Sequence, residues 1–201
     1  MILWLNGAFG SGKTTAAYEL NRRLPGSYVF DPESFGFCLF ENIPENCRAQ
    51  DFQDIPLWRE TNRKMLEILD REYPGDVIVP MTLVNPGYWD EIIGELRRSG
   101  TDVRHFILYA GPETLRNRLK KRSLGILSKE RFALDAIERC VTAFDTVITE
   151  GMIDTETLDP GQVAEEIARL ADLTLCPAEN TVKTRLNCVK TWLGHIRIVL
   201  R

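Results

Sequence analysis

Short apolar runs alternate with amphipathic segments between residues 2 and 171. The apolar runs predict strands at 2–5, 27–30, 76–81, 103–109 and about 152–158. Segments with apolar residues three or four apart predict helices at 13–24, about 51–71, 88–99, 112–121, near 131–144 and from 160 to about 171. Strands that alternate with helices predict an α/β fold, a doubly wound five-stranded parallel sheet with helices on both faces.

Two regions depart from this alternation. From residue 33 to residue 74 the strand signal disappears, and the predicted helix at 51–71 lies inside that stretch. Residues 180–201 form a separate helical pattern with one apolar stripe, several cations and no acid from Thr181 onward. A basic amphipathic helix of this kind suits the headgroup region of an anionic membrane, with Trp192 at the boundary. The same stripe would also suit packing against the protein's own helices or sheet.

A glycine-rich loop connects the first strand to the first helix. Residues 7–14 read GAFGSGKT and satisfy the phosphate-binding pattern G-x-x-x-x-G-K-[ST]. Glycines let consecutive backbone N–H groups point at phosphate oxygens, Lys13 adds positive charge at the β and γ phosphates, and the Thr14 hydroxyl coordinates Mg²⁺. The N-terminus of the following helix favours the same anion. The predicted nucleotide-binding residues are Gly7, Ala8, Phe9, Gly10, Ser11, Gly12, Lys13, Thr14 and Thr15.

The rest of the sequence narrows the class of P-loop protein. The GTPase motifs DxxG and NKxD do not occur, and the strand at 76–81 ends in Pro80-Met81-Thr82 rather than in the acid of a Walker B strand. Asp31 follows the second strand, where small-molecule kinases carry an acid across from the γ phosphate. There it can orient the acceptor hydroxyl, act as a base, or hold Mg²⁺ through water. Its alternative role is that of a turn residue before Pro32.

A basic segment follows the fourth strand. Residues 116–131 contain Arg116, Arg118, Lys120, Lys121, Arg122, Lys129 and Arg131 against one acid, Glu130. Arg118 and Arg122 are four residues apart and share a helix face. The R-x-x-x-R pattern resembles the lid of nucleoside-monophosphate kinases, which places one guanidinium over adenine and one on the phosphates. We expect a lid at about 122–132, with a solvated helix face as the alternative. Arg139 is a candidate for another closing arginine or a surface residue.

Composition limits the remaining choices. The chain has 201 residues, 44% of them apolar, a net charge of −4 and a pI of about 5.4, which suits one α/β domain without a general attraction to nucleic acid. Five cysteines without a CxxC pair are typical of reduced thiols in a cytoplasmic protein. The first apolar run is too short for a signal peptide, and no run is long enough to span a membrane.

Several segments together resemble the tunicamycin resistance protein family: NGAFGSGKT, YVFDPE, DFQDIPLWRETN, VIVPMT and HIRI. The resemblance extends from residue 1 to about residue 199. It implies a P-loop kinase fold related to nucleotide kinases, ATP binding, protection against a nucleoside antibiotic, and membrane association through the C-terminal segment. Whether the drug is phosphorylated, sequestered or moved is left open by the resemblance.

The expected domain organisation is a kinase-like domain at 1–175, of nucleoside-monophosphate-kinase type, and an amphipathic segment at 176–201. In nucleotide kinases the region corresponding to 33–74 is the arm that grips the acceptor. Arg59 is its candidate reader of an acidic group, because a guanidinium pairs with phosphate or carboxylate. The other candidate acceptor residues are Trp58 and Phe52, for stacking on a base, Gln53, for a uracil edge or sugar hydroxyl, and Thr82 and Arg139. Helical spacing also predicts that Trp58 and Phe52 belong to the core.

Three functions remain open. The first is a cytoplasmic Mg²⁺- and ATP-dependent phosphotransferase, in which Lys13, Asp31, Arg118 and Arg122 are catalytic and Thr14 and Asp31 hold the metal. Its partner would be tunicamycin or a uridine-nucleotide-like small molecule. The second is a nucleotide-gated protein that sequesters the drug on the inner face of the membrane without chemistry. The third is a general nucleoside or nucleotide kinase.

Overall fold

All five predicted strands are present in the computed structural model, which describes residues 1–123 and 129–178, with residues 122, 123 and 129–133 described by backbone only. The strands are β1 (Ile2–Asn6), β2 (Tyr28–Val29), β3 (Val77–Pro80), β4 (Val103–Tyr109) and β5 (Met152–Asp154). They form one sheet in the order β2-β3-β1-β4-β5, and every neighbouring pair is parallel. The predicted α/β class and parallel five-stranded sheet are confirmed.

Eight α-helices connect or follow these strands within the described part of the chain. They are α1 (Lys13–Arg23), α2 (Glu33–Asn42), α3 (Pro56–Glu72), α4 (Pro86–Trp89), α5 (Glu95–Arg98), α6 (Pro112–Ser123), α7 (Lys129–Thr146) and α8 (Pro160–Leu170). A π-helical turn, Asp90–Gly94, joins α4 to α5.

The central strand β1 shows why the sheet has helices on both faces. Its side chains alternate between the two faces of the sheet. Leu3 and Leu5 belong to the core formed with α1 and α8, whereas Ile2 and Trp4 belong to the core formed with α3 and the helices after β3. Each such fully buried side chain contributes about 1.5–3 kcal/mol relative to an exposed one. The two cores hold the carboxyl ends of the strands at one edge.

The acceptor arm differs from its prediction. The helix expected at 51–71 begins only at Pro56, preceded by short 3-10 turns that include Phe52–Asp54. Proline disfavours helical conformation in the residue before it, and the Asp51 side chain accepts the N–H of Gln53 to form a separate turn. Helix α2 was not predicted, because its sequence ESFGFCLFEN lacks a one-sided apolar stripe.

The described residues include no helix long and apolar enough to cross a membrane. Cys38, Cys47, Cys140 and Cys176 are free thiols. Residues 174–178 carry no regular secondary structure, and Cys176 exchanges backbone and side-chain hydrogen bonds with Arg23. The amphipathic helix at 180–201 and residues 124–128 of the lid lie outside the described residues, and the rest of the lid is described by backbone only. Both therefore stay predictions, as does the domain boundary at 175.

Candidate functional site

The loop between β1 and α1 has the backbone that a phosphate cradle requires. Gly7 adopts φ of +146° and Gly12 φ of +96°, conformations that side chains rarely allow. A Cβ on Gly7 would lie 2.6 Å from both the Leu108 carbonyl oxygen and the Ser11 Oγ atom. The loop therefore needs glycine at position 7 for space as well as for conformation.

The N-terminus of α1 is open toward an anion. Gly12 is its N-cap, so no side chain caps the helix, and its first turn carries no acid. A Cβ built on Gly12 meets nothing within 4 Å, which shows free space beside the helix end. The Ser11 hydroxyl is buried without a hydrogen-bond partner among the described residues. Uncapped N–H groups, a helix dipole and this hydroxyl fit the oxygens of a bound phosphate chain.

Lys13 extends back across the loop. Its Nζ atom donates to the carbonyl oxygens of Gly7 at 3.0 Å and Ala8 at 3.1 Å. The same ammonium lies 5.7 Å from the centre of the Phe9 ring. The positive charge is thus held over the loop where the β and γ phosphates of a nucleotide would bind. Thr14 and Thr15 follow in the first turn of α1, partly exposed.

Hydrogen bonds from the strand ends hold the loop in place. The Asn6 Oδ1 atom accepts the N–H groups of Gly7 and Leu83, both at 2.9 Å. The Thr82 hydroxyl donates to the Gly7 carbonyl oxygen at 2.9 Å. These side chains are buried, so the bonds are shielded from water. The loop that follows β1 is consequently fixed to the segment that follows β3.

Asp31 lies beside α1, after β2. Its Oδ1 atom accepts the Glu33 N–H at 3.0 Å, so the turn role predicted for Asp31 is present in the structure. Burial, and secondarily the Asp31 carboxylate, raises the pKa of the Tyr18 phenol. Since Thr14 and Tyr18 are four residues apart, they share one face of α1. Asp31 therefore acts on a residue of the helix face that also carries Thr14, and the joint role of Thr14 and Asp31 at Mg²⁺ stays a prediction.

Arg118 reaches the end of β5. Its Nη2 atom donates to the Thr155 carbonyl oxygen at 2.5 Å, and its Nη1 atom lies 3.4 Å from the Thr155 hydroxyl. Helix α6 also packs on the phosphate loop, because a Cβ on Gly10 would lie 3.1 Å from the Leu119 Cγ atom. Arg118 is thus close to the loop, at the edge where strands β1, β4 and β5 end. The Arg122 side chain lies outside the described part of the chain.

Of two predicted acceptor residues, Trp58 belongs to the core and the half-buried Phe52 packs against it. Trp58 is fully buried, its Nε1–H donates to the Pro32 carbonyl oxygen at 3.0 Å, and its ring centre lies 5.3 Å from that of Phe52. Phe52 packs over Gly36 of α2, where a Cβ would overlap its ring. The structure leaves Trp58 no exposed ring face for stacking on a base.

Arg59 is engaged by its own protein. Its Nε atom donates to Glu91 Oε2 and its Nη1 atom to the Gln53 carbonyl oxygen, each at 2.5 Å. The guanidinium carbon also lies 4.1 Å from the centre of the Tyr88 ring, a cation–π contact. With only 8% of the residue exposed, Arg59 fastens the arm to the segment after β3. Arg59 also lines a separate cleft of about 330 Å³ together with Arg63 and Glu91, and its role as reader of an acidic group stays a prediction.

A polar cleft of about 290 Å³ lies next to these contacts. Its lining residues come from the arm, the segment after β3, and helix α7: Gln50, Asp51, Gln53, Asp54, Val84, Asn85, Pro86, Tyr88 and Arg139. The structure thus brings the predicted residues Gln53 and Arg139 together. Gln53 Nε2 donates to the Thr82 carbonyl oxygen at 3.1 Å, which joins the cleft wall to the residue that contacts the phosphate loop.

The other cleft residues carry little signal in the sequence. Asp51 and Asp54 flank Phe52 and Gln53 in the segment DFQD, and Tyr88 belongs to a predicted helix. Burial raises the pKa of the Asp51 carboxyl above its usual value, although the Gln53 N–H and Arg139 oppose that effect. Asn85 could have been found from the sequence, because Asn followed by Pro often marks the start of a helix. In the structure its side chain accepts the N–H groups of Gly87 and Tyr88.

The strand order and the loop between β1 and α1 define a P-loop protein with a kinase-like fold. A family model described as an AAA domain matches residues 2–146. The solved tunicamycin resistance protein of Deinococcus radiodurans is 33% identical, with a TM-score of 0.74, and the match covers 88% of this chain and 98% of that chain. The chain belongs to the tunicamycin resistance protein family, within the P-loop proteins of this AAA-domain family.

More distant solved structures share the fold. A gluconokinase from Sinorhizobium meliloti 1021 is 15% identical with a TM-score of 0.59, over 85% of this chain and 93% of that chain. The APS kinase CysC of Mycobacterium tuberculosis, solved with AMPPNP and APS, is 15% identical with a TM-score of 0.55, over 85% and 96%. At these identities the likeness concerns the fold alone. No curated protein matches the chain significantly.

Proposed function

We propose that this protein is a Mg²⁺- and ATP-dependent phosphotransferase that acts on a nucleoside-type small molecule and protects against tunicamycin. One observation carries the proposal: Thr82 bonds to Gly7 of the phosphate loop through its hydroxyl and to Gln53 of the cleft through its carbonyl. A nucleotide in the loop and a small molecule in the cleft would therefore be neighbours. Proximity of this kind is the main requirement of phosphoryl transfer.

The roles of the residues follow from their positions. The loop N–H groups, Ser11 and Lys13 would bind the β and γ phosphates, and Lys13 would offset charge on the transferred group. Thr14 and Asp31 would hold Mg²⁺, which supplies charge neutralisation when bound. Asp31 could also orient the acceptor hydroxyl. Arg118, at the end of β5, would lie along the nucleotide, and Arg122 would close from the lid.

The family supports the drug as ligand. The solved Deinococcus radiodurans relative is a tunicamycin resistance protein by name, and a nucleoside antibiotic offers hydroxyl groups as phosphate acceptors. The cofactor assignment is supported by the loop geometry, which fits a triphosphate.

A second candidate is a nucleotide-gated protein that binds the drug without chemistry. The sequence at the end of β3 favours this alternative. Pro80 is followed there by the buried Met81, and the position of a Walker B acid holds no carboxylate. The Asp31 Oδ1 atom is also already bonded to the start of α2. Under this alternative, ATP binding would stabilise the closed arrangement of arm and loop, and Asp31 would serve only as a turn residue.

The experiment that separates these functions measures ADP and the mass of the acceptor. Purified protein would be incubated with Mg·ATP, with and without tunicamycin or uridine. A phosphorylated acceptor that disappears in Asp31→Asn supports the phosphotransferase. Asp102→Asn is the matched control, because exposed Asp102 precedes β4 at the opposite edge of the sheet. No product under any condition, with resistance that survives Asp31→Asn but not Lys13→Ala, would instead support the binding protein.

We also propose peripheral membrane contact through residues 180–201. Its support is their basic amphipathic pattern and the family resemblance. Deletion of these residues should release the protein from anionic vesicles in a sedimentation assay without a change in melting temperature. A large fall in melting temperature would show that the segment packs on the domain.

A further inference from the structure

The described residues that line the cleft carry more negative than positive charge. Among the described residues that line it, Asp51 and Asp54 are acidic and Arg139 is basic, and the other polar groups are the amides of Gln50, Gln53 and Asn85 and the Tyr88 hydroxyl. Arg139 comes from α7 and lies near enough to Asp51 to affect the pKa of that carboxyl. The described wall of the cleft thus contains one guanidinium, whose positive charge already acts on a carboxylate of the same cleft.

A second guanidinium next to the cleft, that of Arg59, is engaged by groups of the protein. Arg59 is bound by Glu91 and by the Gln53 carbonyl oxygen, with Tyr88 stacked on it. Tyr88 in turn donates its hydroxyl to Asp54 Oδ1 at 2.9 Å, which fixes that carboxylate at the cleft. Binding of a phosphomonoester normally takes several cations or uncapped N–H groups directed at one point. The described cleft wall does not provide that set.

Given the proposed function, on which this inference rests, we infer that the cleft takes an uncharged, hydroxyl- and amide-bearing acceptor such as a nucleoside, and discriminates against the corresponding monophosphate. Carboxylates accept hydrogen bonds from sugar hydroxyls and imide N–H groups, and side-chain amides complement both edges of a base. A phosphate dianion would lie near Asp51 and Asp54 and be repelled. The acceptor is therefore a nucleoside or glycoside rather than a nucleotide.

The burial of Asp51 supports this assignment. Burial raises the pKa of its carboxyl because water is partly excluded there, and a phosphate dianion at the same place would lose solvation in the same way. Its Oδ1 atom accepts the Gln53 N–H at 3.0 Å, so the side chain is held in one orientation. An oriented, partly desolvated carboxyl is suited to selecting hydrogen-bond donors.

The test is calorimetric titration of the full-length protein, with Mg·AMPPNP present, using uridine, UMP and tunicamycin. We expect uridine or tunicamycin to bind at least about tenfold more tightly than UMP. Asp51→Asn should narrow that ratio by improving UMP binding relative to uridine. Asp70→Asn, the same change on the exposed face of α3, should leave the ratio unchanged. Thermal melting of each variant checks that it is folded.

Two results would overturn the inference. One is UMP binding as tightly as uridine or more tightly; the other is no binding of either uncharged ligand at millimolar concentration. These outcomes differ from failure of the proposed function. If uridine binds preferentially but no phosphorylated product forms, the selectivity is supported and the phosphotransferase function is contradicted. If UMP is bound preferentially and phosphorylated, the phosphotransferase function is supported and the selectivity is contradicted.

Discussion

The Nε2 atom of His105, on β4, lies 3.1 Å from the Nδ2 atom of Asn6, at the end of β1. Because Asn6 Oδ1 accepts two backbone N–H groups, its Nδ2 must be the donor in this pair. His105 Nε2 is then the acceptor, and the ring proton sits on Nδ1, 3.2 Å from the Glu150 carbonyl oxygen. A neutral histidine therefore supports the asparagine that holds the phosphate loop.

Acid should destabilise the protein through His105. Burial lowers the pKa of His105 to about 4, with Arg97 acting in the same direction and Glu150 opposing it. Since the unfolded chain binds this proton near pH 6.5 and the folded chain only near pH 4, the stability present at neutral pH is lost as the pH falls through that window. From pH 7 to pH 5 the free energy of unfolding should fall by ~2 kcal/mol on account of His105. Urea unfolding at both pH values measures this fall.

His105→Gln is the control for that prediction, because glutamine can accept from Asn6 without titrating in this range. Its free energy of unfolding should vary less between pH 7 and pH 5 than that of the wild type. An identical pH dependence in both proteins would contradict the assignment of the effect to His105.

Lys13→Ala should abolish tight nucleotide binding with little effect on folding. The Nζ atom donates to the loop carbonyl oxygens of Gly7 and Ala8. We expect little effect on folding, because the loop conformation is also held by Gly7 itself and by the Asn6 side chain. Loss of a charge-assisted contact to phosphate costs about 1.5–3 kcal/mol, or roughly a 10- to 100-fold rise in Kd. Titration with ATP measures the change, and Lys64→Ala on exposed α3 should bind like the wild type. An ATP affinity of Lys13→Ala equal to that of the wild type would show that Lys13 does not contact the nucleotide.

Arg118→Ala and Arg116→Ala should differ although they lie on one helix. Arg118 bonds to the Thr155 carbonyl oxygen beside the phosphate loop, whereas Arg116 pairs with Glu138 on the surface. We expect ATP affinity to fall about tenfold in Arg118→Ala, since one charged hydrogen-bonding group is lost, and to stay constant in Arg116→Ala. Equal effects of the two substitutions would mean that only general positive charge matters.

Gly7→Ala should destabilise the fold more than Gly12→Ala. Both positions have positive φ, which costs a side chain about 1–2 kcal/mol. At Gly7 the new Cβ would also lie 2.6 Å from the Leu108 carbonyl oxygen, while at Gly12 it would meet nothing within 4 Å. Urea unfolding should show the extra cost as a lower midpoint for Gly7→Ala. Similar midpoints would indicate that the loop can shift away from β4.

Trp58→Phe should lower stability without changing acceptor binding. It removes a buried hydrogen bond to the Pro32 carbonyl oxygen and leaves a cavity, with a combined cost of about 2–3 kcal/mol. Leu57→Ala, at a neighbouring exposed position, should stay within about 0.5 kcal/mol of the wild type. Titration of the folded Trp58→Phe protein with uridine measures acceptor binding. A large rise in the Kd for uridine would indicate that Trp58 does stack on the acceptor.

Most of the fold could be predicted because its signals are local. Each apolar run that became a strand, and each stripe that became α1, α6 or α8, repeats within one element. The starts of helices were less certain: α3 begins at Pro56 because Asp51 caps a separate turn first. Helix α2 packs against Phe52, whose ring lies over Gly36. The pattern of apolar residues within 33–42 cannot indicate a contact with a residue outside that segment.

The sequence by itself determined the phosphate loop and the alternation of strands and helices, because glycine conformations, a lysine at fixed spacing and side-chain periodicity are properties of neighbouring residues. Only the tertiary structure decided which arm residues face the cleft. Trp58 donates to the Pro32 carbonyl oxygen, Arg59 is engaged by Glu91, and Asp51 lines the same cleft as Arg139. These partners are distant in sequence, and burial and pairing depend on how separate elements pack together rather than on the pattern within any one of them.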